Sequence, residues 1–495
     1  MSRSTLSFSV VALACSLLAG CAVGPDYQRP DAPVPKAFKE SSDTMPAWTG
    51  DWKTADPQDA MSRPDWWRVF NDPALDELMA QVQVSNQNIK AAEAVYRQAT
   101  ASLAAARAGY FPTVGANAGV SRGGTSSSAG RITNGQNLTL SASWEIDVWG
   151  RIRRQVESAE AGAQASQADL ASTLLSTQAT LAQSYFLLRV ADAQRALLDR
   201  TVADYAKSLQ LVQNQYKVGT AQRSDVLQSE TQLKSAQAQQ LDIQISRAQL
   251  EHAIAILVGK PPADLNIVAV DTRDVLPVVP VAVPSQLLER RPDIAAAERR
   301  MQSANANIGV AQAAYYPTLS LSATGGLTAS TLARWLSLPD RVWSIGAGLA
   351  GTVFDGGLRA ANKAQAVAAY DETVANYRQT VLTVFQEVED NLASARVLEQ
   401  EAVVQNDALR SAREALSLVN NRYKAGTAGL LDVLTAQTAA YTAENTTLNI
   451  MGRQYTAAIT LIKALGGGWH APDVAVGKTD APAAGTTATP TTTPQ

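Results

Sequence analysis

Tyr216-Lys217-Val218-Gly219-Thr220 is followed by Asp225-Val226-Leu227, and the pattern returns 207 residues later as Tyr423-Lys424-Ala425-Gly426-Thr427 and Asp432-Val433-Leu434. Gly259 and Gly466 keep that offset, while Tyr110-Phe111-Pro112-Thr113 returns as Tyr315-Tyr316-Pro317-Thr318 at an offset of 205. A unit of about 200 residues present twice is too long for a solenoid repeat and reads as a duplicated domain plan. The spacing predicts a first repeat over 73–260, a Val- and Pro-rich extended crossover over 261–291, and a second repeat over 292–469.

Each copy has the same order of parts. A helix opens at a Pro suited to the first helical position, Pro73 or Pro292, and runs to Gly109 or Ala314. Two strands follow, with period-two alternation: Leu140, Ala142, Trp144, Ile146 and Val148 against Thr139, Ser141, Ser143, Glu145 and Asp147. Val114 to Val120, Leu319 to Ala323 and Ile345 to Val353 alternate similarly. Next comes a very long helix, because no Pro occurs between Pro112 and Pro261 or between Pro339 and Pro472. Leu198, Val202, Tyr205, Leu209, Val212 and Tyr216 step by four and three, a coiled-coil-like seam.

Lengths then set geometry. Helices at 150–217 and 358–424 reach ~100 Å each, and those at 73–109 and 222–258 ~55 Å each, at 1.5 Å per residue. Two short helices end to end are predicted to span one long one, with the strands at one end of the rod and the Gly-Thr turns at the other. Four amphipathic strands cannot close a barrel alone, and lipid tolerates no open sheet edge, so a lipid-facing sheet must close by combining chains. Tyr110, Phe111, Trp149, Tyr315, Tyr316 and Trp343 fit interfacial aromatic girdles, and the polar run Ser121–Asn137 is predicted to be a surface hairpin loop.

The N-terminus reads as an address. Residues Leu6 to Leu18 are apolar but too few to span a bilayer as a helix, and they end in small residues, as a secretory signal does. Leu18-Ala19-Gly20-Cys21 resembles the bacterial lipobox, so cleavage after residue 20 would leave Cys21 to carry the lipid, palmitate among its acyl groups. Ala22 rather than Asp in the next position implies export onward to the outer membrane. Residues 21–72 are then an acylated, extended arm, and 470–495 a disordered Pro/Thr/Ala tail.

Composition excludes several functions. The formal charge of −3 over 495 residues gives no nucleic-acid footprint. Two Cys and two His leave no disulfide framework or Cys/His metal cluster, and no cofactor is expected. His252 and His470 have no nearby nucleophile or ligand grouping in the sequence, so an enzyme is not expected.

With these parts together, the chain resembles the TolC-like outer-membrane efflux factors, in their lipoprotein (NodT/OprM-type) branch. The segments that carry the resemblance are Cys21–Tyr27, Trp66–Phe70, Glu289–Ile294, Phe354–Gly357 and Ala464–Trp469. The resemblance implies an α+β membrane protein: a homotrimer whose twelve-stranded β-barrel continues into a periplasmic α-helical barrel. It implies an exit duct in outer-membrane lipid that docks a periplasmic adaptor (membrane fusion) protein and an inner-membrane pump of RND type. In that family the periplasmic helix tips pinch the tunnel. The matching residues are Asp225, Tyr423 and Asp432 for the gate, and Gly219, Thr220, Gly426 and Thr427 for adaptor docking. Ala428 stands where the TolC pattern has an Arg and Thr435 where it has a second acid, which leaves Arg223, Arg422 or Lys424 to latch the closed state. The competing readings are a type I secretion duct, which differs in partners and cargo, and a periplasmic adaptor lipoprotein, which needs one hairpin plus soluble β domains.

Overall fold

A computed structural model describes residues 23–32, 35, 38–40, 65–124, 132–270, 291–329 and 341–467. The signal, Cys21 and the tail lie outside the described residues. The elements are α1 (Pro73–Ser85), α2 (Gln87–Ala108), β1 (Thr113–Gly124), β2 (Ile132–Ile146), α3 (Arg151–Lys217) and α4 (Arg223–Leu257), then α5 (Pro292–Ala313), β3 (Thr318–Ala329), β4 (Arg341–Ala350), α6 (Leu358–Lys424) and α7 (Leu430–Ala464).

The two long helices, α3 and α6, have 67 residues each, or ~100 Å. They stand in a wall of four columns. α3 packs against α2 and α4 on one side and against α5 and α7 on the other, and α6 packs against α5 and α7. The α3–α4 pair is held by the predicted seam, with Tyr205, Leu233 and Ala236 buried and Val202 and Leu209 packed against them.

One expectation is corrected. Residues 73–109 do not form a single helix, because Asn86 takes an extended backbone and its side chain accepts from the Asn88 and Ile89 amides, capping a new helix. α1 is thereby freed to turn aside, and only the 22-residue α2 continues the 35-residue α4. Together they cover ~85 Å of column at the helical rise.

α1 and the 3-10 turn Trp66–Phe70 build a thickening halfway along the wall. Trp66, Trp67, Phe70, Leu75, Met79 and Val82 are buried against Leu181, Tyr185 and Phe186 of α3 and Ile254 of α4. Phe186 stacks on Tyr455 at 4.4 Å and meets Phe70 at 4.8 Å. Full burial of such a side chain contributes roughly 1.5–3 kcal/mol. Trp66, Trp67 and Phe70, which the sequence placed in an extended arm, thus belong to the main core.

Below this cluster lies a buried ionic network. Asp192 accepts from Arg247 at 2.6 Å and Arg189 at 3.3 Å, and Arg247 also pairs with Glu251. The same guanidinium groups donate to the Ile267 and Val268 carbonyls, so the start of the crossover is clamped onto α3 and α4.

The strands form one antiparallel sheet in the order β1-β2-β3-β4, with β1 and β4 as open edges. The polar run Ser121–Asn137 is not all loop: Arg122 pairs with Asn134, and strand continues to Gly124 and from Ile132. Backbone hydrogen bonds make this ladder, and Gly and polar side chains do not prevent it where the ribbon is wet.

Candidate conduit and its two ends

The sheet register sorts the side chains into two faces. Val114, Ala116 and Ala118 lie opposite Ala142, Leu140 and Leu138. The row continues through Ala323 and Leu327, and then Leu321 and Leu319 of β3 face Ala347 and Leu349 of β4. The other face carries Asn117, Thr139, Ser141, Ser143, Ser320, Ser322 and Thr324. Val114, Val120, Leu140, Ile345 and Leu349 are all exposed in the single chain. An exposed apolar face backed by a hydroxyl-lined one suits lipid outside and water inside. β1 has 12 residues, enough for a tilted strand to cross a bilayer.

Aromatics gather where strands meet helices. Trp149 stacks on Tyr316 at 4.8 Å and donates its Nε1–H to the Pro317 carbonyl at 2.7 Å. Trp144 donates to the Tyr110 carbonyl at 3.0 Å, and Phe111 is exposed beside it in sequence. Trp343, also exposed, sits at the opposite end of the strands. Asp355, which opens α6, has its pKa lowered by the Gly357 amide and then by the side chain and amide of Arg359.

The arm is docked at this same junction. The Val23 amide donates to the Trp149 carbonyl at 3.0 Å, two residues after Cys21. Gly24 has φ of +110°, and a Cβ there would stand 2.5 Å from the Gly309 Cα, so only Gly fits. Buried Arg154 pairs with Asp26 and Glu157 at 2.8 Å each, and Asn305 donates to the Pro25 carbonyl at 2.9 Å. Burial opposes the Arg154 cation, but these carboxylates hold its pKa above the ordinary guanidinium value. Further along, Arg29 donates to the Tyr377 hydroxyl, and the Lys39 and Glu40 amides donate to the Glu389 carboxylate. Sequence reasoning missed this docking. The one local hint is the cluster Arg151, Arg153 and Arg154 just after the strands.

At the far end, the predicted tip residues come together. In the first tip the Gly219 amide donates to the Tyr216 carbonyl and the Thr220 amide to the Gln215 carbonyl, at 3.0 and 2.9 Å. Gly426 and Thr427 repeat these bonds on Tyr423 and Arg422 at 3.0 and 2.9 Å. Both are Schellman turns, with φ of +78° at Gly219 and +74° at Gly426. Each Thr hydroxyl donates to the same carbonyl as its own amide, at 3.1 Å.

The two tip carboxylates are helix caps. Asp225 accepts from the Gln222 amide at 3.1 Å and Asp432 from the Gly429 amide at 3.0 Å, each in the first turn of its helix. That position favours a negative charge. Tyr423 reaches across the repeats and donates to Gln215 Oε1 at 2.8 Å, a partner that sequence reasoning did not single out. Arg422 donates to the Thr427 carbonyl at 3.3 Å, and Thr435 to the Leu431 carbonyl at 2.7 Å.

Comparison with known proteins agrees with this geometry. A family model described as "Outer membrane efflux protein" matches residues 78–260 and 283–467. A probable efflux pump outer membrane protein of Pseudomonas putida, TtgC, is 31% identical over 477 residues, covering 95% of this chain and 96% of its own. The outer-membrane channel OprN superposes with a TM-score of 0.83 at 30% identity, covering 91% of this chain and 100% of its own. The open state of the Neisseria gonorrhoeae MtrE outer membrane channel gives a TM-score of 0.78 at 29% identity, with 90% and 98% covered.

Proposed function

The chain belongs to the outer membrane efflux protein family, and from that premise we propose how its parts divide the work. It is an outer-membrane channel, the exit duct of an efflux system, that spans the outer membrane and extends into the periplasm. Three chains supply twelve strands to one barrel, and their helical walls continue it as a tunnel. The observation that carries this reading is the apolar row that crosses all four strands through Val114, Ala142, Ala323 and Ile345, over helices that line up beneath them. A periplasmic adaptor lipoprotein would need neither two hairpins nor such a sheet.

Such a duct works with a periplasmic adaptor and an inner-membrane pump. We assign the pump to the RND type, and adaptor docking to Gly219, Thr220, Gly426 and Thr427, whose turns are exposed at the tunnel end. Under threefold symmetry Asp225 and Asp432 each become a ring of carboxylates, a cation-selective constriction. Tyr423 holds α6 against α3 beside it. These carboxylates have two tasks at once, capping a helix and charging a pore. Cys21 carries the lipid, and the Val23 and Arg154 contacts hold the arm beside the inner aromatic row, where acyl chains reach the bilayer. The duct conducts and makes or breaks no bond.

Deletion of the gene should raise cellular retention of a fluorescent efflux substrate several-fold, with wild-type chain restoring export. Unchanged retention in a strain whose pump depends on this duct alone would contradict the assignment.

A further inference from the structure

α3 has a single glycine in its 67 residues, Gly162, well inside the helix. Gly weakens a helix interior relative to Ala. Neither backbone nor packing calls for it here: its φ is not positive, and a Cβ there would meet nothing within 4 Å. The missing side chain leaves room. That room is a groove of about 430 Å³ over α3, floored by Gly162, Ala165 and Ser166 and walled by α2 and α5. Its volume falls in the range of ~300–1,000 Å³ typical of small-molecule sites.

Ser166, at the floor, is 8% exposed, and its hydroxyl has no hydrogen-bond partner among the described residues. A buried hydroxyl left unpaired is costly, and a ligand group that enters the groove would pair it. The second repeat has no such vacancy: Thr373, at the matched position, donates to the Tyr370 carbonyl at 2.7 Å, and Ala369 and Glu372 replace Gly162 and Ala165. Asp169 and Arg300, the two charged residues of the lining, pair with each other at 2.5 Å, so the groove offers no net charge. Helical periodicity fixes which side of the wall it opens on. Ser303 and Asn307 line the groove and flank Asn305, each ~200° round α5 from the residue that holds the Pro25 carbonyl of the arm. On α3, Asp169 lies about two and a half turns from Gln178, which accepts from Trp66 of the thickening. Arm and thickening are therefore on the opposite face. An arm that brings an acyl chain to the bilayer runs outside the wall, so the groove opens into the tunnel.

We propose that this groove is a resting site for exported compounds, one per chain, ~22 Å below the start of α3. It takes a compact amphiphile without net charge. The apolar body lies on Val95, Ala99 and Ala304, and one hydrogen-bonding group meets the Ser166 hydroxyl. The inference rests on the duct reading above and adds a site to the duct's wall. Weak binding suits that place, since a conduit must release what it holds.

Hippuramide, an uncharged molecule with a phenyl ring and two amides, is the probe, and hippurate, its carboxylate analogue, is the charged control. Ligand-observed NMR of the purified trimer in amphipol should show saturable binding of hippuramide, roughly five-fold tighter than that of hippurate. Gly162→Leu fills the groove and should weaken hippuramide roughly ten-fold. Its unfolding midpoint should be no lower than that of wild type, because it replaces a helical Gly where space is open. Ser166→Ala should weaken binding about three-fold. Ala369→Leu, at the matched exposed position of α6, should change nothing. Equal binding by wild type and Gly162→Leu, or no saturable binding by wild type, overturns the site and leaves the duct intact. Protein of the same preparation that inserts into a bilayer and passes no current overturns the duct reading instead.

Discussion

The Asn86 side-chain amide donates a 2.7 Å hydrogen bond to the Leu257 carbonyl, splicing the start of α2 onto the end of α4. The second repeat makes the same splice with different chemistry: Arg291, just before α5, donates to the Ala464 carbonyl at 3.0 Å. Burial works against the Arg291 cation, but Asp293 and Glu387 hold its pKa above the ordinary guanidinium value. In both columns a terminal carbonyl that lacks a helical partner is satisfied by the residue that opens the next helix.

Asn86→Ala removes a cap and one splice bond together, and should destabilise the fold by about 2 kcal/mol. Arg291→Ala strands one carbonyl and leaves two carboxylates without their cation, so about 3 kcal/mol is expected. Thermal unfolding in detergent should rank wild type above Asn86→Ala and Asn86→Ala above Arg291→Ala. Equal midpoints for all three would remove the splice from the stability of the columns.

The Asp192 carboxylate is buried between two guanidinium groups. Asp192→Ala leaves both cations facing each other in the interior, at a cost of about 3–5 kcal/mol. The expected result is a lower unfolding midpoint together with new protease cleavage at the start of the crossover, because Arg189 and Arg247 also hold the Ile267 and Val268 carbonyls.

What the sequence made legible was what repeats or alternates. Two offsets located the tips, and period-two alternation gave the sheet faces because a strand's side chains must alternate. The kink at Asn86 was missed although Ser85-Asn86 offers a cap residue inside an apolar pattern, because nothing local says that a helix must stop there. Docking of the arm on Arg154, Asn305, Tyr377 and Glu389 was illegible for a different reason: those partners lie more than 100 residues away and share no period with it. The tip carboxylates stand in the first turns of α4 and α7, and their hydrogen bonds to the Gln222 and Gly429 amides appear only in the folded turns.

Cys21→Ala should abolish incorporation of labelled fatty acid into the mature chain, and persistent label would refute the lipid site. Arg154→Met should leave acylation intact while freeing the arm. Proteolysis near residues 23–32 should then become several-fold faster, since the pairs with Asp26 and Glu157 and the bonds to the Val23 and Gly24 carbonyls are lost together.

Asp355 provides a pH test. Its pKa is lowered in the fold, so its stabilising effect is complete above the unfolded carboxylate value of about 4 and disappears as pH falls through the lower folded value. Wild type should therefore unfold at a higher temperature than Asp355→Asn at pH 7, and the gap should close in acid. A gap that persists unchanged at pH 3 would show that charge has no part in it.

The charge at the tips can be separated from the cap. Asp432→Asn keeps an acceptor for the Gly429 amide but removes the negative ring, whereas Asp432→Ala removes both. Single-channel recording of the purified trimer in planar bilayers is the direct measurement. Wild type should pass a small, cation-selective current. Asp432→Asn should lose that selectivity, and Asp432→Ala should also conduct more. An inserted trimer that passes no current in any of the three forms, or one whose selectivity is the same in all three, would contradict a duct constricted by these carboxylates.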